Sequence, residues 1–375
     1  MSMKIKFKTG NQDFYTDVKA RVENYFQEND LSKNANFSMV LKTIFFFLSF
    51  IIVYGLIIFN VLPWPLMLVA AGMLGFIIAE IGFNVGHDAI HGSYSSNPLV
   101  NKILSFSFNL LGANNYVWSI THNIVHHTYT NIPGHDEDLE PIPLIRLSTE
   151  TKILKIHRFQ QWYVFFFYAV ATLSWVFMKD YKKFFQRKIG NYENKKPPLV
   201  EYFNLFASKL LYYILFLILP LLVLAIPWWG VLIGFVAMHM VEGLVLALVF
   251  QLAHVVEGPE FNDPDDDGTM ENNWSIHQVK TTADFSRKSH LANFLLGGLN
   301  FQIEHHLFPK ICHIHYRAIS GIVKETIENH GLPYYENHTF LGAVMSHMRM
   351  LKKLGTPPNN IDQSDRLPDM ARGSI

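Results

Sequence analysis

The chain has 375 residues, of which 50% are hydrophobic and only 17% charged, where a soluble domain carries roughly 25% charged residues. Lysine plus arginine and aspartate plus glutamate balance at 31 each, so no net field favours nucleic acid, and the shortage of charge argues against a soluble protein. The single cysteine, Cys312, excludes an intramolecular disulfide framework and suits a reducing, cytosol-facing location, while 18 histidines are an excess that asks for a site.

Residues 1–39 are polar and hold no apolar run with a cleavage signal, so no secretory signal peptide is expected. Phe14, Val18, Tyr25 and Phe26 recur at a roughly helical period and predict an amphipathic helix on the membrane or on the domain. Residues 40–62 and 66–86 are each long enough to cross a hydrocarbon core of about 30 Å, and only Pro63-Trp64-Pro65 joins them. Residues 210–226 and 228–253 repeat that design around Pro227. Trp64, Trp228 and Trp229 sit at the turns, where indole suits the headgroup boundary.

Neither connector carries lysine or arginine, so all 31 basic residues can lie on one side, the cytoplasm by the positive-inside rule. Residues 162–178 are also uncharged and long enough to span; residues 103–111 are too short and are expected at the interface. The last 20 residues, rich in proline, asparagine and aspartate, read as a flexible tail.

Three histidine clusters carry the chemistry. His87 and His91 are four apart and share a helix face; His122 and His126 do the same, while His127 points about 100° away. The third cluster is Gln302-Ile303-Glu304-His305-His306, and His254 ends the fourth apolar run. Eight imidazoles exceed what one mononuclear site takes, so two metals are expected. Ligands shared between His127 and His254 require an even number of crossings between them. The second hairpin supplies two, so residues 162–178 are expected at the interface, beside Arg158, Lys179, Lys182 and Lys183.

Glu80 lies two turns before His87 within an apolar span, and an intramembrane carboxylate there is either functional or hydrogen-bonded between helices. His239 and Glu242, three apart on the fourth span, are expected to pair. His277, His313 and His315 lack a repeated spacing and stay outside the ligand set, with His277 the nearest to joining it.

The strings HDAIHGS, THNIVHHTYTN and GGLNFQIEHHLFP resemble the three histidine boxes of the membrane fatty acid desaturase family, and the glutamine-led third box resembles its front-end branch. Trp274, Gln278, Thr281, Thr282 and Phe285 resemble the stretch before the third box in bacterial acyl desaturases. The resemblance covers roughly residues 40–340. It implies a non-haem di-iron centre, O2 as oxidant and a cis double bond introduced into a CoA- or lipid-linked acyl chain with delta-6/delta-5-like regiochemistry.

By the same resemblance the metal ligands fall on His87, His91, His122, His126, His127, His254, His305 and His306, with Gln302 where many relatives have a ninth histidine. No catalytic side chain is expected beyond these. Imidazole suits iron as well as zinc or copper, so the histidines alone do not name the metal. Asp88, Asp136, Asp138, Glu257 and Glu304 are candidates to accept the free ring N–H of ligands.

Neither a dinucleotide glycine fingerprint nor the HPGG haem string is present, so no fused haem or flavin is expected and electrons come from a separate ferredoxin or cytochrome b5. Lys182, Lys183, Arg187 and Lys188 can dock such a carrier or anionic headgroups.

The expected fold is an all-α integral membrane protein of two transmembrane helical hairpins, four spans in all, with a cytosolic helical cap holding a di-metal site. Residues 1–39 form a cytosolic segment, 40–340 the membrane domain and 341–375 a cytosolic helix and tail; the active site and both termini face the cytosol. The rival functions are an acyl-chain hydroxylase on the same scaffold and a histidine-rich metal transporter.

Overall fold

The computed structural model describes residues 5–10, 12–136, 139, 142–149 and 151–357. The helices, in chain order, begin with α1 (Asp13–Glu28), α2 (Phe37–Ile58), α3 (Trp64–His91), α4 (Pro98–Ser105) and α5 (residues 115–129). There follow α6 (Lys155–Phe185), α7 (Leu199–Val223), α8 (Trp228–His254), α9 (Trp274–Thr281) and α10 (His290–Leu295). The series closes with α11 (Gln302–Leu307), α12 (Tyr316–Asn329) and α13 (Phe340–Gly355).

Among the described residues, strand is confined to three short pairs. β1 (Lys6–Phe7) runs parallel to β4 (Thr269–Met270), β2 (Lys188–Ile189) antiparallel to β3 (Tyr192–Glu193), and β5 (Asp284–Phe285) parallel to β6 (Glu336–Asn337).

Helices α2, α3, α6, α7 and α8 are long and apolar enough to cross a membrane. Helix is the form such a segment takes, because its backbone groups pair within the segment where no water can satisfy them. On α2, Leu41, Ile44, Leu48, Ile51 and Ile52 are exposed, an apolar outer face suited to lipid. Helix α3 is the bundle's centre, with Ile77, Ile78, Ala79 and Ile81 all buried. Gly75 lets α8 come close, since a Cβ there would collide with the Met238 backbone; Gly243 likewise admits the Tyr168 and Ala169 carbonyls of α6.

The two hairpin turns are tied to each other. Asn60, at φ 54, donates its side-chain amide to the Val223 carbonyl at 3.1 Å and accepts from the Ala225 amide at 2.9 Å.

One segment departs from the sequence reading. Helix α7 starts at Leu199, not at residue 210, because Lys209 is accommodated inside the fold: it is buried, 2.7 Å from Asp180, and donates to the Gly112 and Trp175 carbonyls. A lysine with a full set of partners does not end a buried helix, though it ends an apolar run. Helix α1 packs on the domain, its Phe14, Val18, Val22 and Phe26 buried against Ile319, Val323 and Ile327 of α12. The expected tail, from residue 358 on, lies outside the described residues.

Helix α6 runs along α8, with the Thr172 hydroxyl 2.9 Å from His239 Nδ1. Near its start, Gln160 bonds to Arg146 and to the Leu351 carbonyl of α13; near its end, Phe184 packs on Val117 and Leu205.

Candidate metal centre

Box one ends α3, box two forms the core of α5, box three is α11, and His254 ends α8. Wide π-helical turns occupy Gly82–Gly86, immediately before His87, and Ser119–His126, which is box two itself. Such turns cluster at functional sites because the extra residue per turn redirects side chains. Close packing then draws the boxes together: a Cβ at Gly86 would strike Phe108, and one at Gly297 would strike the Phe83 backbone.

The eight imidazoles converge, buried save for His91, which is half-buried. His87, His91, His122 and His305 offer ring nitrogens that all lie within 4.8 Å of one another; so do those of His126, His254 and His306, and those of His127, His305 and His306. The first and second sets share no residue, and the third joins them through His305 and His306. Gln302 belongs beside the second set, its Nε2 3.0 Å from His254 Nε2 and 3.4 Å from His306 Nε2.

Four of the ring orientations follow from what holds Nδ1. His126 Nδ1 donates to Asp136 Oδ2 at 3.0 Å, and His306 Nδ1 to Gln278 Oε1 at 2.7 Å. His305 Nδ1 donates to the Tyr316 hydroxyl at 3.3 Å, and His254 Nδ1 to the Thr281 carbonyl at 3.4 Å. Each such bond places the proton outward and leaves Nε2 as an inward lone pair, the tautomer a metal takes. Inside the cluster the Nε2 atoms of His87 and His122 are 3.3 Å apart, and those of His127 and His122 3.2 Å.

His91 Nε2, His305 Nε2 and Gln302 Oε1 are buried without a hydrogen-bond partner. Buried polar atoms without partners are costly, and two cations placed among these donors would satisfy them. Burial, and after it the neighbouring imidazoles, holds His122, His127, His305 and His306 well below the usual histidine range, so these rings are neutral near pH 7, as ligands must be. The donor set therefore fits a pair of irons.

Of the acids expected to accept from ligand rings, Asp136 faces His126 Nδ1. Asp88 does not accept from a ligand ring: it lies off the face that His87 and His91 share, and its carboxylate takes Cys312 and His313. Glu257 turns away to Ser346 and Arg349. Glu304 is buried against Asp284; burial first and the Asp284 charge second raise it well above the usual carboxylic range, so it is a neutral acid that supplies no charge to the rings. Asp138 lies outside the described residues.

His277 spends Nε2 on the Thr130 carbonyl at 2.7 Å and joins none of the ligand groups. Gln278, Tyr316 and Trp118, which stacks on His122 at 4.0 Å between ring centres, are contributors that spacing does not mark. The only signal for Gln278 was its place in the stretch before box three.

Residues 32–338 match the fatty acid desaturase family. The sn-1 linoleoyl-lipid 6-desaturase of Synechocystis sp. is 37% identical over 357 residues, 94% of this chain and 98% of its own. The enzyme of the same name from Arthrospira platensis is 36% identical, over 92% of this chain and 93% of its own. The acyl-lipid (8-3)-desaturase of Physcomitrium patens is 35% identical over 94% of this chain and 74% of its own. With three histidine boxes converging at the end of an apolar helix bundle and these relatives spanning nearly its whole length, the chain belongs to the fatty acid desaturase family.

Proposed function

We propose that the protein is a front-end desaturase of membrane lipids, which inserts a cis double bond on the carboxyl side of the acyl chain, using O2 and two electrons per turnover. The observation that carries this is the set of eight imidazoles with inward Nε2 atoms at one end of the bundle. Relatives named for lipid-linked substrates support a lipid headgroup on the substrate in preference to CoA.

His87, His91, His122 and His305 would hold one iron and His126, His254 and His306 the other, with His127 between them and Gln302 as a further donor to the second. Bound there, the irons supply the oxidising power that removal of hydrogen from an unactivated methylene needs. The chain's own residues do the rest. Asp136, Gln278, Tyr316 and the Thr281 carbonyl hold the rings in one tautomer and orientation. Trp118 and Phe250 cover the rings with apolar surface on the bundle side, Phe250 at 4.9 Å from His126 and 5.0 Å from His254 between ring centres. Those rings exclude water where a methylene must sit.

In this reading α2, α3, α7 and α8 cross the membrane, while α6 runs along α8 as far as His239 without crossing and keeps both of its ends on the cytosolic side. Support comes from both ends of α6: one packs beside α13, whose His347 bonds the Val255 carbonyl next to His254, and the other packs beside Val117, just before box two. The active site and both termini then face the cytosol, and a separate one-electron carrier, a ferredoxin or cytochrome b5, delivers electrons there.

Expression in a host of known lipid composition, with iron and a reductant supplied, tests the function. New unsaturated lipid species positioned by mass spectrometry are expected; hydroxylated chains in their place would make the protein a hydroxylase, and unchanged lipids would overturn both.

A further inference from the structure

Outside the ligand set, one buried polar group is assembled from three separate parts of the chain. Lys42 comes from α2, Asp88 from box one, and Cys312 with His313 from the loop after box three; all four are buried. Asp88 Oδ2 accepts from the Cys312 thiol at 3.0 Å and from His313 Nδ1 at 2.7 Å, and also faces the His313 backbone amide at 3.3 Å. On the other edge of the same ring, His313 Nε2 accepts from Lys42 Nζ at 3.1 Å.

Those contacts fix the protonation pattern without remainder. His313 is neutral and carries its proton on Nδ1, between a carboxylate and an ammonium, so the group as a whole has no net charge. Each of the four side chains has a hydrogen-bond partner within it, whereas an isolated buried carboxylate or lysine would be costly.

A metal does not suit the place. Asp88, Cys312 and His313 have ligand atoms within 4.8 Å of one another, but the Lys42 ammonium stands on the same ring and would repel a cation. The group is better placed to join elements than to bind an ion. Asp88 sits between His87 and His91 in sequence, and His313 follows His305 by eight residues, so the contact ties box one to box three across the first set of ligands. There the His87 and His305 ring centres are 4.5 Å apart and those of His91 and His305 4.9 Å. Gly298 (φ +71) lets the strap close, because a Cβ would strike the His313 side chain.

We propose that Lys42, Asp88, Cys312 and His313 form a buried clamp of positioning residues, which sets the distance between box one and box three and so the geometry of the site shared by His87, His91, His122 and His305. Its metal consequence rests on the di-iron reading above; the clamp itself does not.

Cys312 is the only cysteine in the chain, so its thiol reports the clamp directly. The full-length, metal-free protein in detergent is exposed to N-ethylmaleimide and labelling is followed by intact mass. Wild type is expected to label slowly and Asp88→Asn at least ~10-fold faster, since a buried hydrogen bond to a charged group is lost and local opening becomes easier. Lys42→Met, a side chain of similar length, is expected to give a smaller increase, and Glu257→Gln, at the surface pair with Arg349, none. Should Asp88→Asn fail to fold, Lys42→Met decides the point.

A second arm loads the same proteins with ferrous iron and measures metal content and the optical and Mössbauer spectra. Wild type is expected to hold two irons per chain. Asp88→Asn is expected to keep the iron of His126, His254 and His306 and to lose or distort the other, and Cys312→Ser, which keeps a donor to Asp88, to match wild type. Labelling of Asp88→Asn and Lys42→Met as slow as wild type would overturn the clamp. Two irons with an unchanged spectrum in Asp88→Asn would overturn its link to the site. A wild type that binds no iron pair would instead overturn the di-iron reading and leave the labelling result standing.

Discussion

Histidine is buried in two unlike ways in this molecule. His239, midway along α8, has both ring nitrogens occupied: Nδ1 faces the Thr172 hydroxyl at 2.9 Å and Glu242 at 3.4 Å, and Nε2 faces the Tyr212 hydroxyl at 2.9 Å. His126, His254, His305 and His306 instead have Nδ1 occupied and Nε2 turned toward the other imidazoles, as in His305, whose Nδ1 meets Tyr316 and whose Nε2 has no hydrogen-bond partner. The first ring has both nitrogens supplied by hydroxyls and joins α6, α7 and α8. The second arrangement would be completed by cations placed inside it. Accounting for each ring nitrogen therefore separates a packing histidine from a ligand where burial alone does not.

The contrast is broken most severely at His305, which belongs to two of the three ligand groups. Exchange for alanine is expected to abolish desaturation, to below about one thousandth of wild type, because a metal site missing a shared ligand loses both affinity and geometry. Iron content should fall with it. Full activity with two irons retained would remove His305 from the ligand set.

One layer outward, Asp136→Asn keeps shape but replaces an acceptor charge at His126 Nδ1 with an amide. Loss of such an orienting partner costs 10–100-fold in metal affinity or activity in comparable sites, and an effect in that range is expected here. Competition against a graded chelator measures it. An unchanged affinity would show that His126 needs no fixed tautomer.

Acid should distort the cluster before it disturbs the bundle. His122, His127, His305 and His306 are held below their ordinary range, so the folded state binds fewer protons than the unfolded one. Stability then rises with pH in this region; the contribution is present in full above the unfolded histidine value of about 6.5 and is lost as pH falls below it. The metal-free protein should show a Tm that is level above that pH and declines between about pH 6.5 and 5. A Tm independent of pH over that interval would mean that the rings are not neutralised by burial.

Much of this layout is legible in the chain because it depends on periodicity. The spacing of His87 and His91, and of His122 and His126, is a local property of helix, and the apolar runs mark α2, α3 and α8 within a few residues. Partnership across the fold is a different kind of information. Asp88 looked like an acceptor for its neighbours because it is acidic and adjacent, yet successive residues on a helix point about 100° apart, and its carboxylate ends on Cys312 and His313 instead. Lys209 interrupts an apolar run but not a helix, since Asp180 waits for it on α6. Gln278 and Tyr316 hold His306 and His305 from elements that carry no histidine box, and nothing in their spacing announces that.

The smallest effect on the metal is expected at the other pole of the comparison. Tyr212→Phe removes the hydroxyl that meets His239 Nε2 and leaves that nitrogen buried without its partner. A buried polar group so deprived costs about 1–3 kcal/mol, which should appear as a lower Tm in detergent with iron content unchanged. His239→Gln, which retains one donor and one acceptor, should lose less. If Tyr212→Phe released iron while leaving Tm where it was, His239 would belong with the ligand network, and partner accounting would fail as the means of telling the two kinds of histidine apart.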